Sequence, residues 1–414
     1  MNQDRTKILI HLPFPLKPIN TGAKRRIVGI LNYFKERNDF FSVDVVASNE
    51  FRSKLWDSEQ KQEVLKLAER ILVYEDEHNL FDFLYSRSQS FYYQKILREQ
   101  LPVDSRYCTP PGYIKFVKNL VSTEKYNFIL INYLEYANLA MDSNSCVAKT
   151  LIDMHDLCCE ARIARKNISH LKGLKFDYES NLNREINLLN KFDVVLANSH
   201  HEMALISSHL SSQKLHLIPH LVEDSNHFLS LASYSSREFK YDLLFVGARY
   251  QPNIDGLNFF LTSIFPEIIE EKPDTKLAIA GTVTQSVQIE ASLEQNVDCL
   301  GYVPDLSDLY LKSRLVICPL LTGSGTKVKL QEAMAYAIPT VTTTTGASGL
   351  NLIDGVNALI TDEPTVYAHQ ILRLLKEPEL AQKLSEEVAM TFKNHYSNSA
   401  VYSKLDQLLG ISPS

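Results

Sequence analysis

The chain has 414 residues, 45% of them hydrophobic and 22% charged, with a formal net charge of −6. That length exceeds what one hydrophobic core holds and predicts two domains of about 200 residues each. The acidic balance argues against a nucleic-acid partner, which needs concentrated positive charge, and no apolar run approaches the length that spans a bilayer. The six cysteines are Cys108, Cys146, Cys158, Cys159, Cys299 and Cys318, with no C-x-x-C pair, so neither a zinc knuckle nor a redox dithiol is expected. Most of them read as small core residues, and the usage fits a reducing compartment. The polar start MNQDRTK carries no leader signature. A cytoplasmic location is therefore expected.

In chain order, the apolar run ILIHL (8–12) leads into a proline-punctuated loop over 13–21, Gly22, and helical periodicity over 26–35. A strand, a loop and a helix in that order open a doubly wound α/β domain. Further apolar runs follow at 43–48, 128–134, 150–156, 193–199 and 215–220, with amphipathic stretches between them. Alternation of this kind predicts a parallel sheet with helices on both faces. The region 52–117 is rich in Tyr, Phe and charge and carries no motif. The polar stretch 223–240 reads as an interdomain linker. A second alternating series then runs through 242–248, 277–282, 297–303, 314–320, 339–344 and 357–362, and the threonine run 342–345 reads as strand. The expected fold is α/β, with two Rossmann-like, doubly wound parallel-sheet domains at 1–222 and 223–394. Their carboxyl strand ends would face each other across a cleft. A terminal helix at 395–409, within 395–414, is expected to pack back toward the first domain.

The chemistry concentrates in LTGSGTKVKLQEAMAYAIPTVTTTTGASGL (321–350). Gly323, Ser324, Gly325, Thr326 and Lys327 follow a buried strand and precede a helix. A glycine-rich turn at a helix N-terminus offers unpaired N–H groups and a positive dipole end to a phosphate or to sugar hydroxyls. Lys327 adds a mobile charge for a diphosphate, and Glu332, from the same helix, can accept hydrogen bonds from a ribose diol. The plainer reading is a tight turn with Glu332 on a solvated helix face. The G-x4-G-K-[ST] spacing of a P-loop is absent.

The stretch GSGTKVKLQEAMAYAIPTV resembles the donor-site signature of glycosyltransferase family 4, whose fold is GT-B. FVGARYQPNIDGLNFF (245–260), LAIAG (277–281), LGYVPDLSDLY (300–310) and TTTTGASGL (342–350) follow in the family's order. Gly22 with Ala23, DMHD (153–156), VVLANS (194–199) and LIPHLVED (217–224) match more loosely. The resemblance implies a retaining transfer of a sugar from a nucleoside diphosphate donor to a saccharide or lipid-linked acceptor, in cell-surface polysaccharide or glycolipid synthesis, with no metal and no cofactor. It places Glu332 on the nucleotide ribose, Tyr302 and Val303 at the base, and Ser324, Gly325, Thr326 and Lys327 around the sugar and phosphates. Arg249 falls on the diphosphate, Gly22 near the donor phosphate, and Gly247 and Gly281 in the donor-side strand ends. His155 matches the family's active-site histidine.

Two positions depart from the pattern. The first glutamate of the Glu-x7-Glu motif falls at Ser324, and the family's lysine falls at Asp255. Negative charge develops on the departing phosphate oxygen, so Lys327 is expected to replace that lysine, and His155, Arg249 and Lys327 form the candidate catalytic set. His155 beside Asp153 and Asp156 leaves three readings open: a metal site, a general base, or a residue satisfied by local hydrogen bonds. The basic amphipathic segment 161–178 reads as a helix with one solvated face, or as a peripheral contact with anionic lipid at the inner membrane face. Two other functions remain compatible with this sequence: a sugar-nucleotide epimerase of the same architecture, and a non-catalytic GT-B-like binding protein.

Overall fold

The computed structural model describes residues 5–19, 21–49, 55–75, 80–141, 148–164, 173–222, 234–323 and 325–411. The chain divides into two compact units, Met1–His220 and Leu221–Ser414. The first holds β1 (Thr6–His11), β2 (Phe41–Asn49), β3 (Arg70–Glu75), β4 (Phe128–Asn132), β5 (Lys149–Asp153), β6 (Val194–Ala197) and β7 (Leu215–Leu217). They form one parallel sheet in the order β3-β2-β1-β4-β5-β6-β7. The strands are continuous apolar runs because helices cover both faces. The helix Gly22–Glu36 shows how one face is supplied: Ile27, Ile30, Leu31 and Phe34 are buried at helical spacing. The Thr21 side chain caps its start by accepting from the Lys24 N–H at 3.3 Å.

The second unit holds β8 (Tyr241–Val246), β9 (Leu277–Ala280), β10 (Val297–Gly301), β11 (Ser313–Cys318), β12 (Thr340–Thr342) and β13 (Leu359–Ile360). Their order is β10-β9-β8-β11-β12-β13, again all parallel. Successive residues point to opposite faces. Leu243, Phe245, Ile279 and Ile317 pack with the helices Gln251–Ser263 and Pro364–Lys376. Leu244, Ala278, Ala280 and Val316 pack on the other side with Val328–Ala335 and Pro378–His395. In both sheets the strand order reverses, at β1/β4 and at β8/β11, and the carboxyl edge of such a reversal is where open α/β sheets bind ligands.

Several local features differ from, or add to, what the sequence suggests. The motif-free region 52–117 contains β3, an edge strand paired only with β2. Its residues are exposed or half-buried, and its apolar run, Ile71 to Tyr74, is bounded by Arg70 and Glu75. The threonine run is not one strand: β12 stops at Thr342, and Thr343 caps a short helix, Thr344–Ala347, by accepting from the Gly346 N–H at 3.0 Å. A threonine hydroxyl offers the backbone that alternative to the ladder. Cys299 is exposed on β10 rather than buried in the core. The terminal helix is Asn398–Leu409, capped by Ser397 and separate from Pro378–His395. Within the stretch 223–240, residues 223–233 lie outside the described residues. Among the described residues no helix is long and apolar enough to cross a membrane.

Gly281, directly after β9, has φ +102°, and a Cβ there would stand 2.1 Å from the Gly247 carbonyl oxygen. Gly281→Ala combines a backbone conformation unsuited to alanine with a clash against backbone, so it should cost about 2–4 kcal/mol. Urea unfolding measures this; an unchanged midpoint would rule out the close approach.

Candidate functional site

In the second unit the site is built where β8, β9 and β11 end. Gly247 follows β8, and its N–H donates to the Ala280 carbonyl at 3.0 Å. Two residues on, the Arg249 N–H donates to Thr282 Oγ1 at 2.8 Å, which fixes the backbone that carries the arginine. The Arg249 side chain is exposed. Gly256 brings the helix Gln251–Ser263 against the chain leaving β11: a Cβ on it would meet the Pro319 carbonyl oxygen at 2.7 Å. On that helix Asp255, exposed, accepts from Gln251 Nε2 at 2.7 Å.

The loop after β11 turns through Gly323 at φ +135° and Gly325 at φ +72°. Ser324 lies outside the described residues. Lys327 is not the mobile charge expected of it: its Nζ donates to the carbonyls of Gly325 at 2.8 Å and Gly323 at 3.4 Å. The ammonium therefore sits over its own loop, at the start of the helix Val328–Ala335, with Thr326 beside it. Glu332 is buried, 5% exposed, which excludes the solvated helix face. Its carboxylate accepts from Lys329 Nζ at 2.8 Å and from the Tyr310 hydroxyl at 3.1 Å, and the Tyr310 ring stacks on Tyr336. Tyr302 is 66% exposed, and the neighbouring Val303 packs against the apolar cluster that contains Leu330. The structure thus brings Gly247, Arg249 and Gly281 together, and links Gly325 to Lys327.

In the first unit, Gly22 opens the helix Gly22–Glu36 and His155 lies two residues beyond β5. His155 is 3% exposed, has φ +59°, and stacks parallel on Tyr133 at 4.1 Å. Its Nε2 lies 2.9 Å from Asn132 Oδ1, and its carbonyl accepts from Asn198 Nδ2. The following turn is held by carboxylates: Glu185 accepts from the Cys158 and Cys159 N–H groups, and Glu202 from that of Leu157. Arg26 donates through Nε to both oxygens of Asp153 at 2.8 and 2.9 Å, and through Nη1 to the Ile218 carbonyl at 2.7 Å. Burial raises the Asp153 carboxyl, but Arg26 and then His155 draw it below its usual value. Among the described residues no group of three or more His, Cys, Asp or Glu is arranged to hold a metal.

Sequence reasoning singled out His155 and missed His11, Arg26, Asn132, Asn198 and His220, all buried. A signal was available. ILIH (8–11), FILIN (128–132), TLID (150–153), VVLAN (194–198) and LIPH (217–220) all end an apolar run on His, Asn or Asp. A polar residue closing five buried runs marks one edge of the sheet.

Burial holds the imidazoles neutral: it lowers His11 to about 3, against a backbone hydrogen bond with Asn132 that raises it, and lowers His155 to about 4. His220 is pushed well below its ordinary value for the same reason. An unfolded histidine titrates near pH 6.5, so below that pH the unfolded chain takes up protons that the folded chain refuses. These groups therefore stabilise the fold fully above about pH 6.5, and their contribution is lost as pH falls toward the folded values. His11→Gln should flatten the acid limb of stability by up to about 1.4 kcal/mol per pH unit between roughly pH 6 and 4. Urea melts across that range check it, and parallel limbs for the two proteins would refute it.

Residues 240–377 match the family model described as Glycosyl transferases group 1. An uncharacterized 44.6 kDa protein from the cps region of Klebsiella pneumoniae is 26% identical over 184 residues, 40% of this chain and 47% of that protein. The match thus spans about half the length of that relative. Among solved structures, HepE of Anabaena in complex with UDP superposes with a TM-score of 0.65 at 13% identity, over 98% of this chain and 99% of that one. Sucrose-phosphate synthase from Thermosynechococcus elongatus gives 0.64 at 15% identity, over 98% of each chain. A TarM variant of S. aureus, in complex with fondaparinux, alpha-GlcNAc-glycerol and UDP, gives 0.64 at 12% identity, over 97% of this chain and 99% of that one. Likeness at these identities is a likeness of fold. The chain has the two-domain GT-B fold, and its residues 240–377 match the group 1 glycosyltransferase family model.

Proposed function

We propose that this protein is a retaining, metal-independent glycosyltransferase of family 4 that moves a sugar from a nucleoside diphosphate donor to an acceptor hydroxyl. The second unit binds the donor and the first the saccharide or lipid-linked acceptor. The observation that carries the reading is the Lys327 ammonium held over the Gly323–Gly325 turn at a helix start. As the glycosidic bond breaks, negative charge grows on the phosphate oxygen, and a cation already in position lowers that barrier without reorganising. Arg249, exposed and carried on a fixed backbone, supplies the second positive charge. Glu332 takes the ribose hydroxyls by exchanging them for its present donors, Lys329 and Tyr310. Tyr302 and Val303 meet the base, Ser324, Gly325 and Thr326 the sugar and phosphates, and Gly22 the donor phosphate. His155, neutral and stacked, offers a hydrogen bond to the sugar rather than a charge.

The relative from a cps region supports a role in cell-surface polysaccharide or glycolipid synthesis. The enzyme then works in the cytoplasm, with peripheral contact at the inner membrane face through 161–178. Residues 165–172 of that segment lie outside the described residues, and Ile163, in the described part, is 47% exposed.

A thermal-shift panel of nucleoside diphosphates and their sugars, starting with UDP, should give a specific hit, and a flat panel would sink the reading. With the donor found, Lys327→Ala should lower kcat by about 10²-fold with a smaller change in donor affinity, and EDTA should leave turnover intact. Full turnover in Lys327→Ala would remove that residue from the mechanism. Conversion of the donor without acceptor would favour an epimerase, and binding without turnover across acceptors a non-catalytic protein.

A further inference from the structure

A cavity of about 170 Å³ lies wholly within the first unit, at the carboxyl ends of β1 and β2. At roughly 30 Å³ per water it has the bulk of five or six waters, the scale of a single sugar ring. His11 lines it from β1 and Ser48 from β2. The crossover between β3 and β4 contributes Phe83, Arg87 and Tyr107, and Tyr136 adds a wall beyond β4. Aromatic faces beside hydroxyls are what the mixed surface of a pyranose requires.

Two of these side chains point to a ligand. His11 is 1% exposed, and its Nδ1 has no hydrogen-bond partner among the described residues. A buried ring nitrogen left without a partner forfeits a hydrogen bond that water would have supplied. A neutral imidazole suits a sugar hydroxyl there. Arg87 is exposed, and its guanidinium lies over the Phe83 ring at 5.4 Å. No ion pair ties Arg87 among the described residues. A guanidinium placed over an aromatic ring still has N–H groups to offer a planar or tetrahedral anion.

We propose that this cavity receives one anionic sugar residue of the acceptor, with its carboxylate or phosphate on Arg87 and a hydroxyl on His11. The proposal rests on the glycosyltransferase reading for the ligand's being a saccharide, and it deepens that reading by naming the acceptor's chemical class. It places acceptor specificity in the β3–β4 crossover, away from the donor residues.

Ligand-observed NMR on the full chain tests it with three probes, methyl glucuronide, glucose 6-phosphate and methyl glucoside, each with and without UDP. At least one anionic probe should bind about tenfold tighter than the neutral one, as expected of a charge-assisted pair. Preference for the glucuronide assigns a carboxylate, and preference for glucose 6-phosphate a phosphate. Arg87→Gln, a surface change, should abolish the preference, while Arg87→Lys retains part of it. Equal binding of all three probes, no binding of any, or a preference that survives Arg87→Gln overturns the proposal. UDP binding in the same samples keeps the two readings apart. Anionic sugar without UDP binding sinks the donor reading alone, and UDP binding without anionic sugar sinks only the cavity's assignment.

Discussion

A guanidinium can be taken out of water only if an opposite charge meets it, and that constraint organises the first unit. Arg26, 1% exposed, reaches from the helix Gly22–Glu36 to the end of β5, where Asp153 takes its charge, and to the Ile218 carbonyl beyond β7. One side chain so ties three parts of the chain at the carboxyl edge of the sheet. A buried pair of this kind adds little net stability over an apolar substitute, but breaking it is expensive. Its effect here is positional: the helix that begins at Gly22 cannot turn or slide without stranding a charge. Around the pair, Asn132 meets His155, and Asn198 meets both the His155 carbonyl and His220, so these residues share one hydrogen-bonded frame.

The second unit reaches the same end by removing atoms. At Gly281 and Gly256 the backbone passes so close to another backbone carbonyl that a Cβ has no room. Strand end, loop and helix are pressed together there, and the polar groups the site offers include N–H groups and the charged side chains of Arg249 and Lys327. The contrast between a charge-filled edge and a side-chain-stripped edge suits the division proposed above. A crowded polar wall discriminates among hydroxyls, whereas bare backbone lets a phosphate approach.

The inner strands were legible because they are buried on both faces and read as unbroken apolar runs. All twelve strands other than β3 lie on a run picked out from the sequence. The edge strand β3 was passed over although Ile71 to Tyr74 form an apolar run, because that run is short and lies in a stretch rich in charge and aromatics. Helix boundaries were set by capping hydroxyls that composition alone does not reveal, as Thr343 and Ser397 show. At the site, the glycine-rich turn could be read from spacing. The partners of Lys327 and Glu332 could not, because one folds back on its own loop carbonyls and the other meets Tyr310 from a different element. Arg26 was hidden for a related reason: an arginine in an amphipathic helix reads as solvated unless the carboxylate 127 positions away is known to lie beneath it.

Tyr133 and His155 lie just beyond the ends of the adjacent strands β4 and β5, both with positive φ, and their rings lie parallel. Left-handed backbone is unfavourable for residues of this size, so each is held in a conformation it would leave if released. The stack makes the two departures depend on each other. The turn at His155 also delivers its carbonyl to Asn198, which in turn stands beside His220. A change of ring at Tyr133 therefore reaches the end of β6 and the chain beyond β7 through the His155 carbonyl and the Asn198 side chain. Variation along this edge is coupled: substitutions there are compatible in sets, and a single conservative replacement is not a small perturbation.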